Sequence, residues 1–127
     1  MELPALVTLI ALLEYMFFAM RVGFSREKHN VPAPATSGSP EWERMYRVQQ
    51  NTLEQLIIFL PALWIFSYLW SPAIAAGIGV LFLIGRPLYF IGYVQAAEKR
   101  TLGFLLGFFA NVVLMIGSLA GVIKNLM

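Results

Sequence analysis

The 127-residue sequence contains no cysteine and no aspartate, and its one histidine is His29. Without cysteine, the chain has no disulfide, no thiolate metal ligand and no thiol nucleophile of its own. One histidine is too few for a histidine metal cluster, and the lack of aspartate excludes a Ser-His-Asp triad. We therefore expect no bound metal, and any sulfur chemistry must use a sulfur that the substrate brings.

Charge is also scarce, because 13% of the residues are charged and 59% are hydrophobic, whereas soluble domains have about 25% charged residues. Apolar stretches cover residues 3–20, 55–70, 73–85 and 101–123, and each can be extended to the roughly 20 residues that span a bilayer. The composition predicts an all-α integral membrane protein, a four-helix up-down bundle in a single domain of residues 1–127. The net charge of +2 is too small to suggest a nucleic-acid partner.

The basic residues are unevenly distributed. Eight of the nine lysines and arginines lie in residues 21–47 or 86–100. In a four-pass topology these two segments are on the same side of the membrane, and the positive-inside rule makes that side cytoplasmic. We expect a multi-pass protein among the lipids of a bacterial inner membrane or an endoplasmic reticulum, with any site between these segments opening to the cytoplasm.

Short signals mark where the helices begin. Prolines and small polar residues predict a loop over residues 21–39, and Ser39 has the position of an N-cap before Pro40. Ser71 and Pro72 repeat this pattern at the start of the third helix. Glycines in small-xxx-small spacing in the fourth helix predict close helix packing, and these are Gly103 with Gly107, and Gly117 with Gly121.

A single carboxylate, Glu14, lies midway along the first predicted helix, about residues 3–24. An ionisable residue inside the membrane is a functional hypothesis by default. Counting about 1.5 Å per residue from the basic side, Glu14 is about 15 Å deep and Asn111 of the fourth helix about 13 Å deep. The sequence therefore predicts a hydrogen bond between these two helices, and a role of Glu14 in transport or catalysis is the alternative.

A polar strip follows the third apolar stretch, in the segment GRPLYFIGYVQAAEKRTLG of residues 85–103. At about 100° per helical residue, positions i, i+3, i+7 and i+14 share a strip roughly 60° wide. The residues at these positions are Arg86, Tyr89, Tyr93 and Arg100. We expect the third helix to continue through this segment and to carry two guanidiniums and two phenols on one face.

A second polar face lies on the lower part of the second helix, where Arg47, Asn51 and Glu54 stand at i, i+4 and i+7. Counted from the turn at residues 70–73, the two faces lie at the same depth. Snorkelling side chains would account for the outer residues of both faces, but not for Arg86, Asn51 and Glu54 below the interface. The pattern predicts a polar pocket that enters the membrane from the basic side.

The charges of this pocket suit a small anionic molecule that reacts with a lipophilic partner from the bilayer. Glutathione fits this description, since its carboxylates suit arginines, its ammonium suits a glutamate, and it has the thiol that the chain lacks. A phospholipid head group or a lipophilic acid would fit the same charges. The residues alone leave these alternatives open.

Two segments carry a resemblance to a known family that covers most of the chain. ERMYRVQQNTLEQLIIFLPALWIF, residues 43–66, and GRPLYFIGYVQAAEKRTLGF, residues 85–104, resemble the two signature regions of the membrane-associated proteins in eicosanoid and glutathione metabolism, the MAPEG family. The resemblance implies a homotrimer of four-helix subunits, with glutathione bound between neighbouring subunits. It also implies a membrane glutathione transferase active in detoxification, whose partners are glutathione as co-substrate and a lipophilic electrophile, or a lipid hydroperoxide for peroxidase activity.

The same resemblance implies roles for individual residues. Arg100 would be the catalytic residue, because it would stabilise the glutathione thiolate. The expected glutathione-binding residues are Arg47, Asn51, Glu54 and Tyr89 at the glutamyl end, Arg26 and Gln49 at the glycyl carboxylate, Tyr93 at the peptide near the thiol, and Arg86 beside the pocket.

Two positions depart from the family pattern. Gln55 stands where the leukotriene-forming members have a tyrosine, and Glu27 replaces a second arginine after the first helix. Both departures favour a general conjugating activity over leukotriene synthesis.

Two other classes of function are weighed against a transferase. They are a lipid-presenting protein without catalysis, and a small four-helix multidrug transporter. Arg100 favours the enzyme over the first, and the long connection at residues 21–39 argues against the second.

Overall fold

The structure, a computed structural model, describes all residues 1–127 and is entirely helical. Its elements are α1 Glu2–Phe24, α2 Pro40–Leu69, α3 Pro72–Gln95, a 3-10 segment Ala97–Arg100, and α4 Thr101–Leu126. Four helical stretches are long and apolar enough to cross a membrane, the last of them formed by the 3-10 segment with α4. The predicted all-α class and the four spans are confirmed.

The helix starts are capped as the sequence predicts. The Ser39 hydroxyl accepts a hydrogen bond from the backbone amide of Trp42, and the Ser71 hydroxyl accepts one from that of Ile74. In both cases a proline is the first helical residue, where its missing N–H costs nothing. Both helices also continue without interruption through an internal proline.

Helices α2 and α3 form the middle of the bundle, with α1 packed on one side of the pair and α4 on the other. The direction of α4 is set by its contacts. Gly103 lies against Tyr89, and Gly107, one turn later on α4, lies near Phe82 and Arg86, which precede Tyr89 on α3. The two helices therefore run antiparallel, as an up-down bundle requires.

The main core lies where α2 meets α3, and its centre is the stacked pair Phe59 and Phe82, whose ring centroids are 4.0 Å apart. Alanines of α1, α3 and α4 fill the space around this pair, together with Leu63 and Leu114. The outer faces of all four helices are rich in exposed leucine, isoleucine and phenylalanine. Such faces are compatible with surrounding lipid.

The glycines of α4 lie at its contacts, as the small-xxx-small spacing predicts. A Cβ at Gly103 would meet the backbone of Tyr89, and one at Gly117 would meet the ring of Phe66. A Cβ at Gly121 would lie 2.9 Å from Leu69 Cδ1. Gly103 therefore lets α4 approach the backbone of α3, whereas Gly117 and Gly121 make room for side chains at the end of α2.

The prediction that one continuous helix carries Arg86 through Arg100 is wrong. Helix α3 ends at Gln95, because Ala96 is fully extended, with φ −164° and ψ 143°. The chain then reverses through the 3-10 segment, and Gly92 allows the carbonyl of Lys99 to lie against α3. No glycine or proline marks this reversal in the sequence, so it could not be located from turn residues.

The predicted hydrogen bond between Glu14 and Asn111 is also wrong. Asn111 Nδ2 donates to Gln55 Oε1 on α2 at 2.8 Å. Helix α1, which carries Glu14, packs on the opposite side of the α2–α3 pair from α4. Equal depth in the membrane did not mean contact, because the two helices are separated by the middle pair.

We predict that Gly103→Ala destabilises the protein, because the new methyl group meets the Tyr89 backbone, which cannot yield as a side chain would. The expected loss is about 1 to 3 kcal/mol of the free energy of unfolding, measured as a lower midpoint of thermal unfolding in detergent. Gly77→Ala is the matched control, since nothing lies within 4 Å of a Cβ at Gly77. Equal midpoints for the two variants would contradict the assigned α3–α4 packing.

Candidate functional site

The two polar faces predicted from the sequence meet between α2 and α3. Asn51 Nδ2 donates a hydrogen bond to the Tyr89 hydroxyl at 2.7 Å, and Arg86 donates from its Nη2 to Thr52 Oγ1 at 3.0 Å. The Arg86 guanidinium also lies over the Tyr89 ring, 4.2 Å from the ring centroid. Two neighbouring residues of α2 thus hold two residues of α3 one turn apart.

Arg86 is the most unusual residue of this group, because its side chain is 1% exposed. It forms no ion pair, and its Nε has no hydrogen-bond partner. The contacts of this guanidinium are a hydroxyl group and an aromatic ring, and neither carries a negative charge. No anion in direct contact therefore neutralises its positive charge. Arg86 creates a positive potential at the wall of the space beside it.

That space is a cavity of about 450 Å³. Its lining residues are Asn51, Glu54, Gln55, Arg86, Tyr89, Arg100, Thr101 and Phe104. A second cavity of about 410 Å³ adjoins it and shares Asn51 and Glu54. The second cavity is lined by Thr36, Ser37, Glu43, Tyr46, Arg47, Gln50, Asn51 and Glu54. We call the two cavities together the polar cleft.

Arg100 reaches the polar cleft by the chain reversal and not by helical periodicity. Its guanidinium lies over the Tyr93 ring at 5.3 Å from the centroid, and its Nη1 donates to the carbonyl of Ala97 at 2.9 Å. The Arg100 side chain is exposed, whereas Tyr93 is buried and packs edge-on against Tyr89. Arg100 and Tyr93 are neighbours, as expected. The chain reversal brings them together, and not the periodicity of a single helix.

Three predicted residues line neither cavity of the polar cleft: Tyr93, which packs under Arg100, and the pair Arg26 and Gln49. Arg26 donates from its Nη1 to the carbonyls of Val31 and Ala35 and lies over the Trp42 ring at 4.6 Å. It borders a separate cavity in the first loop. Gln49 lines neither cavity of the polar cleft. Within one chain, Arg26 and Gln49 are separate from the polar cleft.

Several residues of the site were not identified from the sequence, and three of them contact Arg86 or line the first cavity from α4. Thr52 binds Arg86, while Thr101 and Phe104 line the cleft from the first turn of α4. Thr52 had little signal, because it lies about 100° around the helix from Asn51, outside the polar face, and is buried. Thr101 and Phe104 had no signal, since their position depends on the chain reversal before α4, which no turn residue marks in the sequence.

An apolar groove of about 370 Å³ continues from the polar cleft along α2 and α4 and shares Gln55 with it. Its other lining residues are Ile58, Phe108, Asn111, Val112, Met115 and Ile116. Gln55 is oriented by Asn111, which donates to its side-chain oxygen at 2.8 Å. A polar space and an apolar space therefore meet at one amide side chain.

Four apolar helices around a cleft with buried and exposed arginines define a class of multi-pass membrane protein with a polar cleft among its membrane-length helices. Comparison with known proteins identifies the family within this class. The model of the MAPEG family matches residues 4–120. The chain therefore belongs to the MAPEG family, as its two signature segments predict, and it is an integral multi-pass membrane protein.

Individual relatives support the same family. The chain is 47% identical to Uncharacterized protein sll1147 of Synechocystis, over 97% of this chain and 90% of that protein. It is 39% identical to mouse microsomal glutathione S-transferase 2, over 95% of this chain and 82% of that protein. It is also 39% identical to guinea-pig leukotriene C4 synthase, over 77% of this chain and 65% of that protein.

We predict that Thr52→Val lowers the free energy of unfolding by about 1 to 3 kcal/mol, because the buried Arg86 loses its one hydrogen-bond acceptor. Valine keeps the shape of threonine, so packing changes little. Thr52→Ser keeps the hydroxyl and is the matched control. A midpoint of thermal unfolding that is no lower for Thr52→Val than for Thr52→Ser would show that the hydrogen bond to Arg86 contributes little to stability.

Proposed function

We propose that this protein is a membrane glutathione transferase, which binds glutathione as its thiolate and transfers it to lipophilic electrophiles from the bilayer. The observation that carries the proposal is the exposed guanidinium of Arg100 over Tyr93 at a cleft that also contains Glu54 and the buried Arg86. Family membership and the names of two relatives, a glutathione S-transferase and leukotriene C4 synthase, support it.

The polar cleft has the size and charges that glutathione requires. Its two cavities, about 450 and 410 Å³, are within the usual range for small-molecule sites. Glu54 lines both and suits the ammonium, while Arg47 and Arg86 suit the glutamyl carboxylate. Tyr89 accepts from Asn51, so its own hydroxyl proton remains free to donate to the ligand.

Arg100 would activate the sulfur by electrostatics. A free thiol has a pKa near 8.5, so it is mostly protonated at neutral pH, and only the thiolate attacks an electrophile. Arginine stays protonated and cannot act as the base. A guanidinium about 4 Å from the sulfur gains about 4 kcal/mol at an effective dielectric of 20. This exceeds the roughly 2.7 kcal/mol that a pKa lower by two units requires.

The lipophilic partner would enter through the apolar groove between α2 and α4. This groove meets the polar cleft at Gln55. An electrophile in the groove can therefore approach a thiolate in the cleft without leaving the bilayer. Because the basic segments surround the opening of the cleft, the positive-inside rule favours glutathione entry from the cytoplasm.

Arg26 and Gln49 fit the proposal only if a neighbouring chain supplies them. Arg26 lies in the first loop, away from the cleft of its own chain. A homotrimer with the site between subunits would bring Arg26 and Gln49 of one chain to the cleft of the next. The many exposed apolar side chains leave room for such a contact.

We predict that Arg100→Ala leaves the fold and glutathione binding nearly unchanged but removes the thiolate absorbance at pH 7. Conjugation should fall by about tenfold or more, since each unit of thiol pKa changes the thiolate fraction about tenfold. Raising the pH should restore part of the rate, because bulk ionisation then supplies thiolate. Stopped-flow ultraviolet absorbance after mixing with glutathione measures the effect.

Lys99→Ala is the matched control, because it removes an exposed cation from the same 3-10 segment. A full thiolate signal in Arg100→Ala would exclude Arg100 as the activating residue. Glutathione binding without thiolate in the unmodified protein would instead favour the lipid-presenting class.

The shared site predicts complementation between two inactive variants. In mixed oligomers of Arg26→Ala and Arg100→Ala, some interfaces combine the intact Arg26 of one chain with the intact Arg100 of its neighbour. Conjugation by the co-expressed mixture should therefore exceed that of either variant alone, while native mass spectrometry reports three subunits. No gain in activity from verified mixed oligomers would mean that each site belongs to a single chain.

A further inference from the structure

Gln55 lies where the polar cleft meets the apolar groove, and its side chain is half-buried. In the proposed transfer, glutathione occupies the space on one side of this residue, and the lipophilic electrophile arrives on the other. The Gln55 amide therefore borders the place where the two reactants meet. What it does there depends on which of its two polar atoms faces them.

The contact with Asn111 fixes the orientation of the Gln55 amide. Asn111 Nδ2 lies 3.5 Å from the backbone carbonyl oxygen of Gln55 and 2.8 Å from its side-chain Oε1. A backbone carbonyl can only accept a hydrogen bond, so the Asn111 atom that faces it is the amide nitrogen. The Gln55 side-chain atom that accepts from the same nitrogen is then the oxygen. The Nε2 of Gln55 is at the other end of the amide.

This Nε2 group is an unused donor. It makes no hydrogen bond within the chain and, unlike the buried Oδ1 of Asn111, it is open to the surrounding space. Gln55 and Asn111 are the only polar residues that line the groove, and the Asn111 nitrogen already donates to Gln55. An electrophile in the groove therefore meets one side-chain donor, the Nε2 of Gln55.

We propose that Gln55 is a specificity-determining residue, whose Nε2 donates a hydrogen bond to a carbonyl oxygen conjugated to the attacked carbon of the electrophile. The inference rests on the proposed transferase activity and adds a preference to it. Electrophiles of the α,β-unsaturated ketone or aldehyde class gain from this donor, whereas electrophiles without an oxygen gain nothing.

The movement of charge during the addition explains the preference. The thiolate sulfur forms a bond to the β-carbon, the carbon–carbon π electrons shift, and the carbonyl oxygen becomes an enolate oxygen. Water then gives a proton to the α-carbon, and the proton that glutathione lost on ionisation neutralises the remaining hydroxide. A donor aimed at the oxygen binds the enolate more strongly than the ketone, so it lowers the barrier of the addition.

The test compares two electrophiles that share a phenylpropenyl frame. Benzylideneacetone has a ketone beside its double bond, whereas cinnamyl chloride has a chloromethyl group in that place and no oxygen. Conjugation to glutathione is followed by liquid chromatography with mass spectrometry on the protein in nanodiscs, with the spontaneous reaction subtracted. Gln55→Met keeps the length of the side chain and removes the donor. It should lower kcat/KM about tenfold or more for benzylideneacetone, and less than about twofold for cinnamyl chloride.

The ratio of the two kcat/KM values is the readout, because partial unfolding or loss of thiolate lowers both rates in the same proportion. Gln95→Met makes the same change at an exposed glutamine at the end of α3, and it should leave the ratio unchanged. Asn111→Leu should lower the ratio, because nothing then holds Nε2 towards the reactants. Gln55→Met should add little to the effect of Asn111→Leu, since the two residues act through one donor.

An unchanged ratio in Gln55→Met would overturn the role of Gln55 and leave the transferase activity in place. A ratio that is unchanged in Asn111→Leu would overturn the orientation on which the proposal depends. Failure of the proposed transferase gives a different result, because the unmodified protein would then conjugate neither electrophile and would show no thiolate absorbance with glutathione.

Discussion

The burial of one cation, Arg86, constrains the rest of the structure. A guanidinium that is 1% exposed inside an apolar helix is expensive unless its surroundings are fixed. Thr52 and the ring of Tyr89 provide those surroundings, and Asn51 in turn holds the Tyr89 hydroxyl. Because Asn51 and Thr52 are adjacent on α2, this network sets the register of α2 against α3. The same contacts form the wall of the polar cleft.

The close approach of α4 to α3 completes that cleft. Gly85 and Gly103 bring the two backbones together, and Gly92 admits the carbonyl of Lys99 where the chain reverses. A bulkier residue at these positions would move the start of α4 away from α3. Thr101 and Phe104 would then no longer face the cleft. These glycines, which have no functional side chain, therefore determine the position of Arg100.

Most of the helical architecture could be predicted from local signals. The lengths of the apolar stretches predicted the four membrane-spanning helices, and Ser39 and Ser71 marked two helix starts. Both signals can be read from one continuous segment of the sequence without knowledge of tertiary contacts. The end of α3 could not be predicted, since no glycine or proline stands at the extended Ala96 to mark it. Residue spacing brought the polar faces of α2 and α3 to the same depth, and the two faces do meet through Asn51 and Tyr89. Depth alone misassigned the partner of Asn111, because depth does not say which helices are neighbours.

The two arginines of the cleft differ in a way that bears on its chemistry. Arg86 is held rigidly in a low-dielectric environment, whereas Arg100 is exposed and restrained mainly by Ala97 and Tyr93. At 4 Å an exposed cation in water contributes only about 1 kcal/mol, against about 4 kcal/mol at an effective dielectric of 20. In the proposed transferase, Arg100 would therefore ionise a thiol strongly only when something covers it. A neighbouring subunit and a lipophilic partner in the adjoining groove would both do so, and each would couple thiol activation to the assembled, loaded site.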